Sequence, residues 1–273
     1  MPIADLGDIQ LNFSEFGDGP PVLGIMGFSL DKTFWSPQVP AVTAAKRRFI
    51  TFDNRGIARS TGPLVSTVDE MANDTLRLMD HLEIEKACVF GISMGGTIAQ
   101  RLTLDHPERV EALILGVTWG RPIEYMRRQH EVTRRILEVA PEELLEASLL
   151  KMFSPRFFEM GRETIDQIIK SFEREGGPDD HAVAVLRAQL DALDKFDAID
   201  ELPHITCPTL VLGGKIDMIV PGFGSEEVAA AIPGAQLRMF ATGHGCMVEE
   251  MTEFNAAVTG FLESLPASPG SAS

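Results

Sequence analysis

Gly91-Ile92-Ser93-Met94-Gly95 constrains this chain more than any other stretch. An apolar run with strand character, Ala87-Cys88-Val89-Phe90, leads into it, and a helical pattern from Gly96 to Leu102 follows. A G-x-S-x-G set between a strand and a helix reverses the chain so sharply that the serine is held in a strained backbone conformation, its hydroxyl clear of the sheet. Side chains at the two glycine positions would collide with the neighbouring strand or helix. Such an elbow needs a sheet for its strand to join and a helix layer for the turn to lead into.

The chain supplies both. Pro20-Pro21 open a continuous apolar run, Val22-Leu23-Gly24-Ile25-Met26, and Phe49-Ile50-Thr51-Phe52 forms another. Runs without alternation read as strands buried on two faces. Residues 2–16 alternate about Gly7-Asp8, which predicts an antiparallel hairpin at a sheet edge. A helix is expected over 33–46 despite Pro37 and Pro40, and an amphipathic one over 67–82, capped by Ser66 or Thr67. After the elbow, His106-Pro107 stops the helix and 110–117 reads as the next strand. This alternation predicts the α/β class, with a mostly parallel central sheet, helices on both faces and right-handed crossovers.

At about Arg121 the alternation stops. Four helical stretches follow without a strand, roughly 122–139, 141–153, 155–174 and 179–195, with Gly176-Gly177-Pro178 between the last two. The block reads as a cap inserted over the carboxyl edge of the sheet, spanning 121–197, with a core built from 1–120 and 198–265. Its apolar residues include Tyr125, Met126, Met152, Phe153, Phe157, Phe158, Met160 and Phe172. Most are expected to pack the cap, and a minority to line a pocket. A strand at 207–214, a helix at 222–232, a strand at 235–241 and a last helix at 247–264 restore the rhythm. The Ser/Pro/Gly/Ala-rich stretch 266–273 is expected to be a disordered tail.

Composition narrows the partners. Forty acidic residues against 24 basic give a formal net charge of −16. Such a surface repels polyanions, so neither nucleic acid nor an anionic membrane is an expected partner. No apolar run reaches the roughly 18 residues that span a bilayer. The start, Met1-Pro2-Ile3-Ala4-Asp5, has neither the basic nor the apolar region of a signal peptide, and a cytoplasmic location is expected. Cys88, Cys207 and Cys246 form no C-x-x-C pair, and no His/Asp/Glu cluster has metal-ligand spacing. No G-x-G-x-x-G follows a strand. Neither a metal nor a cofactor is therefore expected. Cys88 and Cys207 read as buried thiols, and Cys246 as a helix cap or a residue facing the site.

Three side chains with complementary chemistry follow predicted strand ends: Ser93, Asp217 and His244. Open α/β sheets bind ligands outside the carboxyl ends of their strands, where all three can converge. A serine hydroxyl becomes a nucleophile once a base takes its proton. An imidazole, which titrates near pH ~6.5 when unperturbed, can do so at neutral pH. A carboxylate behind it orients the ring and stabilises its cation. His81, His106, His130, His181 and His204 lie outside strand-end loops and read as structural or solvated. Asp53 and Arg55 read as ties between loops, and Asp191, Asp194, Asp197 and Asp200 as a solvated helix face and linker.

Four motifs, in order, are similar to those of the α/β-hydrolase fold family, with the likeness running from about residue 2 to 265. Gly91-Ile92-Ser93-Met94-Gly95-Gly96 resembles its nucleophile elbow, Gly214-Lys215-Ile216-Asp217 with Pro221 its acid loop, and Gly243-His244-Gly245 its histidine loop. Residues 53–60 resemble its D-x-R-G-x-G-x-S turn, with Ala58 where glycine is usual. The resemblance implies a catalytic triad of Ser93, Asp217 and His244, in the family's chain order. It implies an oxyanion hole from the backbone N–H groups of Met94 and Phe28. It further suggests a substrate pocket formed by Met26, Gly27, Trp119, Tyr125, Met126 and Phe153, with the Met94 side chain walling the acyl group. Many relatives have His-Gly where this chain has Met26-Gly27, a change that keeps the backbone donor and makes the pocket floor more apolar.

The activity so implied is a serine hydrolase acting on a small, largely apolar carboxylic ester or lactone through an acyl-enzyme, similar to carboxylesterases and 3-oxoadipate enol-lactonase-like enzymes. The serine sets the chain apart from epoxide hydrolases and haloalkane dehalogenases, which use an aspartate nucleophile. The same triad also serves carbon–carbon bond hydrolysis of diketones and cofactor-free perhydrolysis, and the fold also serves small-molecule receptors.

Overall fold

Runs that are apolar without alternation become the central strands: β3 (Pro21–Ile25), β4 (Arg48–Phe52), β5 (Ala87–Ile92), β6 (Val110–Gly116) and β7 (Thr209–Gly214). Preceding them, β1 (Ile3–Asp5) and β2 (Gln10–Phe16) form the expected hairpin, and β8 (Gln236–Phe240) closes the far edge. This arrangement comes from a computed structural model that describes residues 2–172 and 178–266. Among the described residues the sheet has eight strands in the order β1-β2-β4-β3-β5-β6-β7-β8. β1 and β2 pair antiparallel, as do β2 and β4, and every other pairing is parallel. β5, which leads into the elbow, lies near the middle of the sheet, between β3 and β6.

Alternate residues of each central strand face opposite helix layers. Leu23, Val89 and Leu113 join one apolar cluster, packed against α2 (Val68–His81) and α3 (Met94–Asp105) through residues such as Met71 and Ile98. Val22, Cys88 and Ala112, each one residue earlier, join the other, packed against α1 (Val39–Ala44) and α11 (Met251–Ser264) through Val42 and Phe254. This double burial is why these strands carry no polar alternation.

Several predicted helices are shorter than their periodicity suggests. The expected helix over 33–46 is a 3-10 turn, Lys32–Trp35, followed by α1. Pro37 and Pro40 lack the N–H that a continuous helix needs, and Pro40 is accommodated in the first turn of α1. At 67–82 the cap is Thr67, whose hydroxyl accepts from the Glu70 N–H while the Glu70 carboxylate accepts from the Thr67 N–H. Between β6 and β7 lie α4 (Glu124–Val139), α5 (Leu144–Met152), α6 (Pro155–Met160), α7 (Arg162–Phe172) and α8 (Asp180–Lys195). The expected single helix at 155–174 is thus two, divided at Gly161. After β7 come α9 (Gly222–Ala231), β8, α10 (Cys246–Glu249) and α11, the last two separated at Glu250. Of the predicted tail, 266–273, residues 267–273 lie outside the described residues, as do Gly176 and Gly177 of the predicted break.

Of two polar readings from the sequence, the first is met and the second is not. Asp53 and Arg55 do anchor their turn: Asp53 accepts from the Lys32 N–H (2.8 Å), the Lys32 ammonium (3.1 Å) and the Asn12 amide (2.6 Å), while Arg55 pairs with Asp74. The acidic run on α8 is not a free solvated face. Asp191 and Asp194 both pair with Arg134 of α4, and Asp194 also meets His130 at 2.6 Å. Among the described residues no helix is long and apolar enough to cross a membrane.

Candidate active site

The elbow is built by backbone constraint. Ser93 follows β5 and precedes α3 with φ 55° and ψ −118°, outside the ordinary regions for a residue with a Cβ. Its N–H donates to the Gly116 carbonyl (2.8 Å), and its own carbonyl accepts from the Gly96 N–H (2.8 Å) and the Thr118 hydroxyl (2.9 Å). A Cβ at Gly95 would lie 2.0 Å from the Ile25 carbonyl oxygen, and one at Gly91 2.2 Å from the Gly95 carbonyl oxygen. Neither position admits any other residue without moving backbone.

Asp217 and His244 come from the loops after β7 and β8. One Asp217 carboxylate oxygen accepts from the N–H groups of Ile219 (2.7 Å) and Val220 (2.9 Å), which fixes the side chain within its own turn. The other lies 2.7 Å from His244 Nδ1, and both residues are buried. An ionised carboxylate only accepts, so Nδ1 carries the proton and the neutral ring keeps Nε2 as an acceptor. Ser93 and His244 line the same cavity. Among the described residues the Ser93 hydroxyl has no hydrogen-bond partner; catalytic hydrogen bonds commonly tighten when substrate binds.

The two candidate oxyanion donors are differently placed. Met94 is the first residue of the 12-residue α3, where the backbone N–H has no intrahelical partner. Phe28 lies in the loop after β3, which also lines the cavity. That loop runs against the nucleophile, with Gly27 so close that a Cβ there would sit 3.2 Å from Ser93 Cβ. The loop is held by the Asn54 amide donating to the Met26 carbonyl (3.0 Å) and by the Ser29 N–H donating to Gln189 of α8 (3.3 Å). Among the described residues neither the Met94 nor the Phe28 N–H is donated to a protein acceptor.

The cavity measures about 90 Å³. Met26, Gly27 and Phe153 line it; Trp119, Tyr125 and Met126 do not. Trp119 and Met126 are buried in the core cluster shared with α2 and α3, and the Tyr125 hydroxyl turns outward to the Met218 carbonyl (2.9 Å). The Met94 side chain is fully buried in that same cluster, so it does not wall the cavity. In their place stand Leu30, Phe34, Ile92, Ser148, Met152, Ile219, Met247 and Val248. Leu30 and Phe34 belong to a loop and a 3-10 turn without periodicity, and Ser148 carries no pattern that marks it. Cys246 neither caps by its side chain nor faces the cavity: it is buried in the cluster under α11, and burial raises its thiol far above the usual value. Among the described residues no group of three or more His, Cys, Asp or Glu side chains could hold a metal ion.

An eight-stranded sheet with this elbow at its centre and an acid and a histidine loop at neighbouring strand ends defines a hydrolase architecture. The α/β-hydrolase fold family matches residues 20–250, and the chain belongs to it. A protein from Azorhizobium caulinodans, provisionally named carbamate hydrolase RutD, is 32% identical over 266 residues, covering 96% of this chain and 98% of its own. The enol-lactonase from Burkholderia xenovorans LB400 superposes with a TM-score of 0.87 at 25% identity, over 96% of this chain and 99% of its own. A thermophilic esterase from Thermogutta terrifontis superposes at 0.82 with 30% identity, over 94% of each.

Proposed function

We propose that this hydrolase cleaves a small, neutral, largely apolar carboxylic ester or lactone through an acyl-enzyme, with Ser93, His244 and Asp217 as its triad. The observation that carries the reading is the pairing of a strained Ser93 with His244 on one cavity, the imidazole held from behind by Asp217 at 2.7 Å. Ser93 Oγ attacks the substrate carbonyl carbon while His244 Nε2 takes its proton. Asp217 stays ionised and stabilises the imidazolium. The N–H groups of Met94 and Phe28 receive the developing oxyanion, each donor contributing roughly 3 kcal/mol of transition-state stabilisation. The imidazolium returns the proton to the leaving alkoxide. Water then repeats the sequence on the acyl-enzyme and releases the acid.

The lining supports the substrate class. Among the described residues it holds no Lys, Arg, Asp or Glu, so a charged acyl group would enter without a counter-ion. Its volume is below the ~150 Å³ of a cavity that takes a benzene ring, which favours short acyl chains. In this reading the insert 121–197 acts as the cap on a core of 1–120 and 198–265, and Met152 and Phe153 are its contribution to the acyl site. A carbamate presents the same carbonyl, and the relatives make it the natural addition to a substrate panel.

The test is a series of p-nitrophenyl acetate, butyrate, hexanoate and octanoate, with a neutral lactone and a carbamate. Acetate and butyrate should turn over fastest, and Ser93→Ala should lower kcat by on the order of 10⁴-fold or more. A Ser93→Ala variant that keeps most of its rate would show that another nucleophile is at work.

A further inference from the structure

The histidine loop is clamped on both sides of His244 by the helical insert, and one residue outside the proposed triad makes most of the clamp. Glu249, at the end of α10, accepts three hydrogen bonds through its carboxylate. One oxygen takes the Gly243 N–H (2.9 Å) and the Ser154 N–H (3.0 Å), and the other takes the Ser154 hydroxyl. Ser154 is the N-cap of α6, and its hydroxyl also accepts from the Phe157 N–H (3.2 Å). On the other side of His244, the Gly245 N–H donates to the Met152 carbonyl (2.8 Å). The packing is close enough that a Cβ at Gly245 would lie 2.3 Å from the Phe153 ring. Phe153 in turn lines the cavity and packs with Leu149 and Ile165.

We propose that Glu249 is a positioning residue that sets His244 and the Met152–Phe153 wall of the cavity in one frame, so that it governs turnover and acyl-chain selectivity together. The proposal rests on the reading of His244 as the base. A carboxylate that ties the residue before the base to the residue after a pocket wall cannot relax one without the other. The role asks for hydrogen-bonding groups in the right places and not for charge: a glutamine keeps an oxygen that accepts from the two N–H groups, and its NH₂ donates to the Ser154 hydroxyl oxygen, reversing that bond.

The experiment compares Glu249→Gln, Glu249→Ala and Ser154→Ala by melting temperature, by kcat and KM on p-nitrophenyl acetate and octanoate, and by the rate of fluorophosphonate labelling. Glu249→Gln should stay within about threefold of the parent in kcat, whereas Glu249→Ala should lose roughly 10- to 100-fold, the scale set by small misplacements of a catalytic group. The acetate-to-octanoate preference should fall in the same alanine variant, and labelling should slow with kcat. Ser154→Ala should fall between the two. A folded Glu249→Ala with parental kcat overturns the proposal, as does a Glu249→Gln as impaired as the alanine variant. If Glu249→Ala does not fold, Ser154→Ala with unchanged kcat and selectivity overturns it. A parent protein that never labels at Ser93 removes the underlying reading instead.

Discussion

Ser93 holds a backbone conformation that costs on the order of 1–3 kcal/mol, and its main-chain hydrogen bonds to Gly116, Gly96, Thr97 and Thr118 show where the compensation lies. Thr118 supplies one of them from a neighbouring strand end, reached through Val117, itself at φ 45° despite its β-branch. Met94 illustrates how backbone and side chain can part ways: it heads α3, where its N–H has no intrahelical partner, while its side chain fills the core. Ala58 is a simpler case. It sits at φ 49°, where the family pattern usually has glycine. The left-handed conformation costs a Cβ-bearing residue ~1–2 kcal/mol, against ~0.4–1 kcal/mol of unfolded-state entropy that a glycine adds. Ala58→Gly should therefore stabilise the fold by about 0.5–1 kcal/mol in urea unfolding, a net of those two opposing effects. A loss of stability would show that the alanine is held there by contacts that outweigh its strain.

At the scale of elements, the helices between β6 and β7 are tied by hydrogen bonds to the loops that carry Phe28, Asp217 and His244. Gln189 of α8 holds Ser29 beside Phe28, while Tyr125 and Gln129 of α4 hold the Met218 and Ile219 carbonyls beside Asp217. The histidine loop meets Met152 and Ser154 through Gly245 and Glu249. Phe153 has both a packing and a lining role, so Phe153→Ala should cost about 3 kcal/mol of stability and move the acyl optimum from acetate or butyrate toward hexanoate. An unchanged chain-length profile would place the acyl group elsewhere in the cavity. Within the insert, burial pushes the His130 imidazole below its ordinary value even though Asp194 lies 2.6 Å away. Burial opposes the Asp194 carboxylate as well, yet His130 and Arg134 together bring it below its usual range. The two act in separate windows. Below about pH 6.5 the unfolded chain protonates this histidine before the folded one does, so its contribution is complete above that pH and is lost as pH falls. The Asp194 contribution is lost only further down, below about pH 4. Between pH 7.5 and 5.5 the parent should lose more melting temperature than His130→Gln; a smaller loss in the parent would reverse the sign of the coupling.

Across the whole molecule, what could be read from the sequence was what chain-local chemistry encodes. Continuous apolar runs marked β3 to β7 because both of their faces are buried, and the alternation of strands with helices set the parallel order. Strand-end position singled out Ser93, Asp217 and His244, and the structure has the last two 2.7 Å apart and the first and last on one cavity. The lining was only partly legible, because it depends on how the insert and the 28–34 segment fold over the sheet. Periodicity selects Trp119, Tyr125 and Met126 as apolar, but only packing decides that they serve the core and the acid loop while Leu30, Phe34 and Met247 serve the cavity. The helix break at Gly161 accords with glycine's poor helix propensity, whereas the one at Glu250 falls on a good helix former and reflects tertiary fit. Catalysis in the proposed reading depends on Ser93 being a nucleophile activated by His244. The most direct measurement is incubation with a fluorophosphonate probe, followed by intact-mass and peptide analysis of the parent and of Ser93→Ala. One covalent adduct is expected, on the peptide containing Ser93, in the parent and none in the variant; a folded parent that stays unlabelled, or an adduct that persists in Ser93→Ala, would rule out Ser93 as the nucleophile.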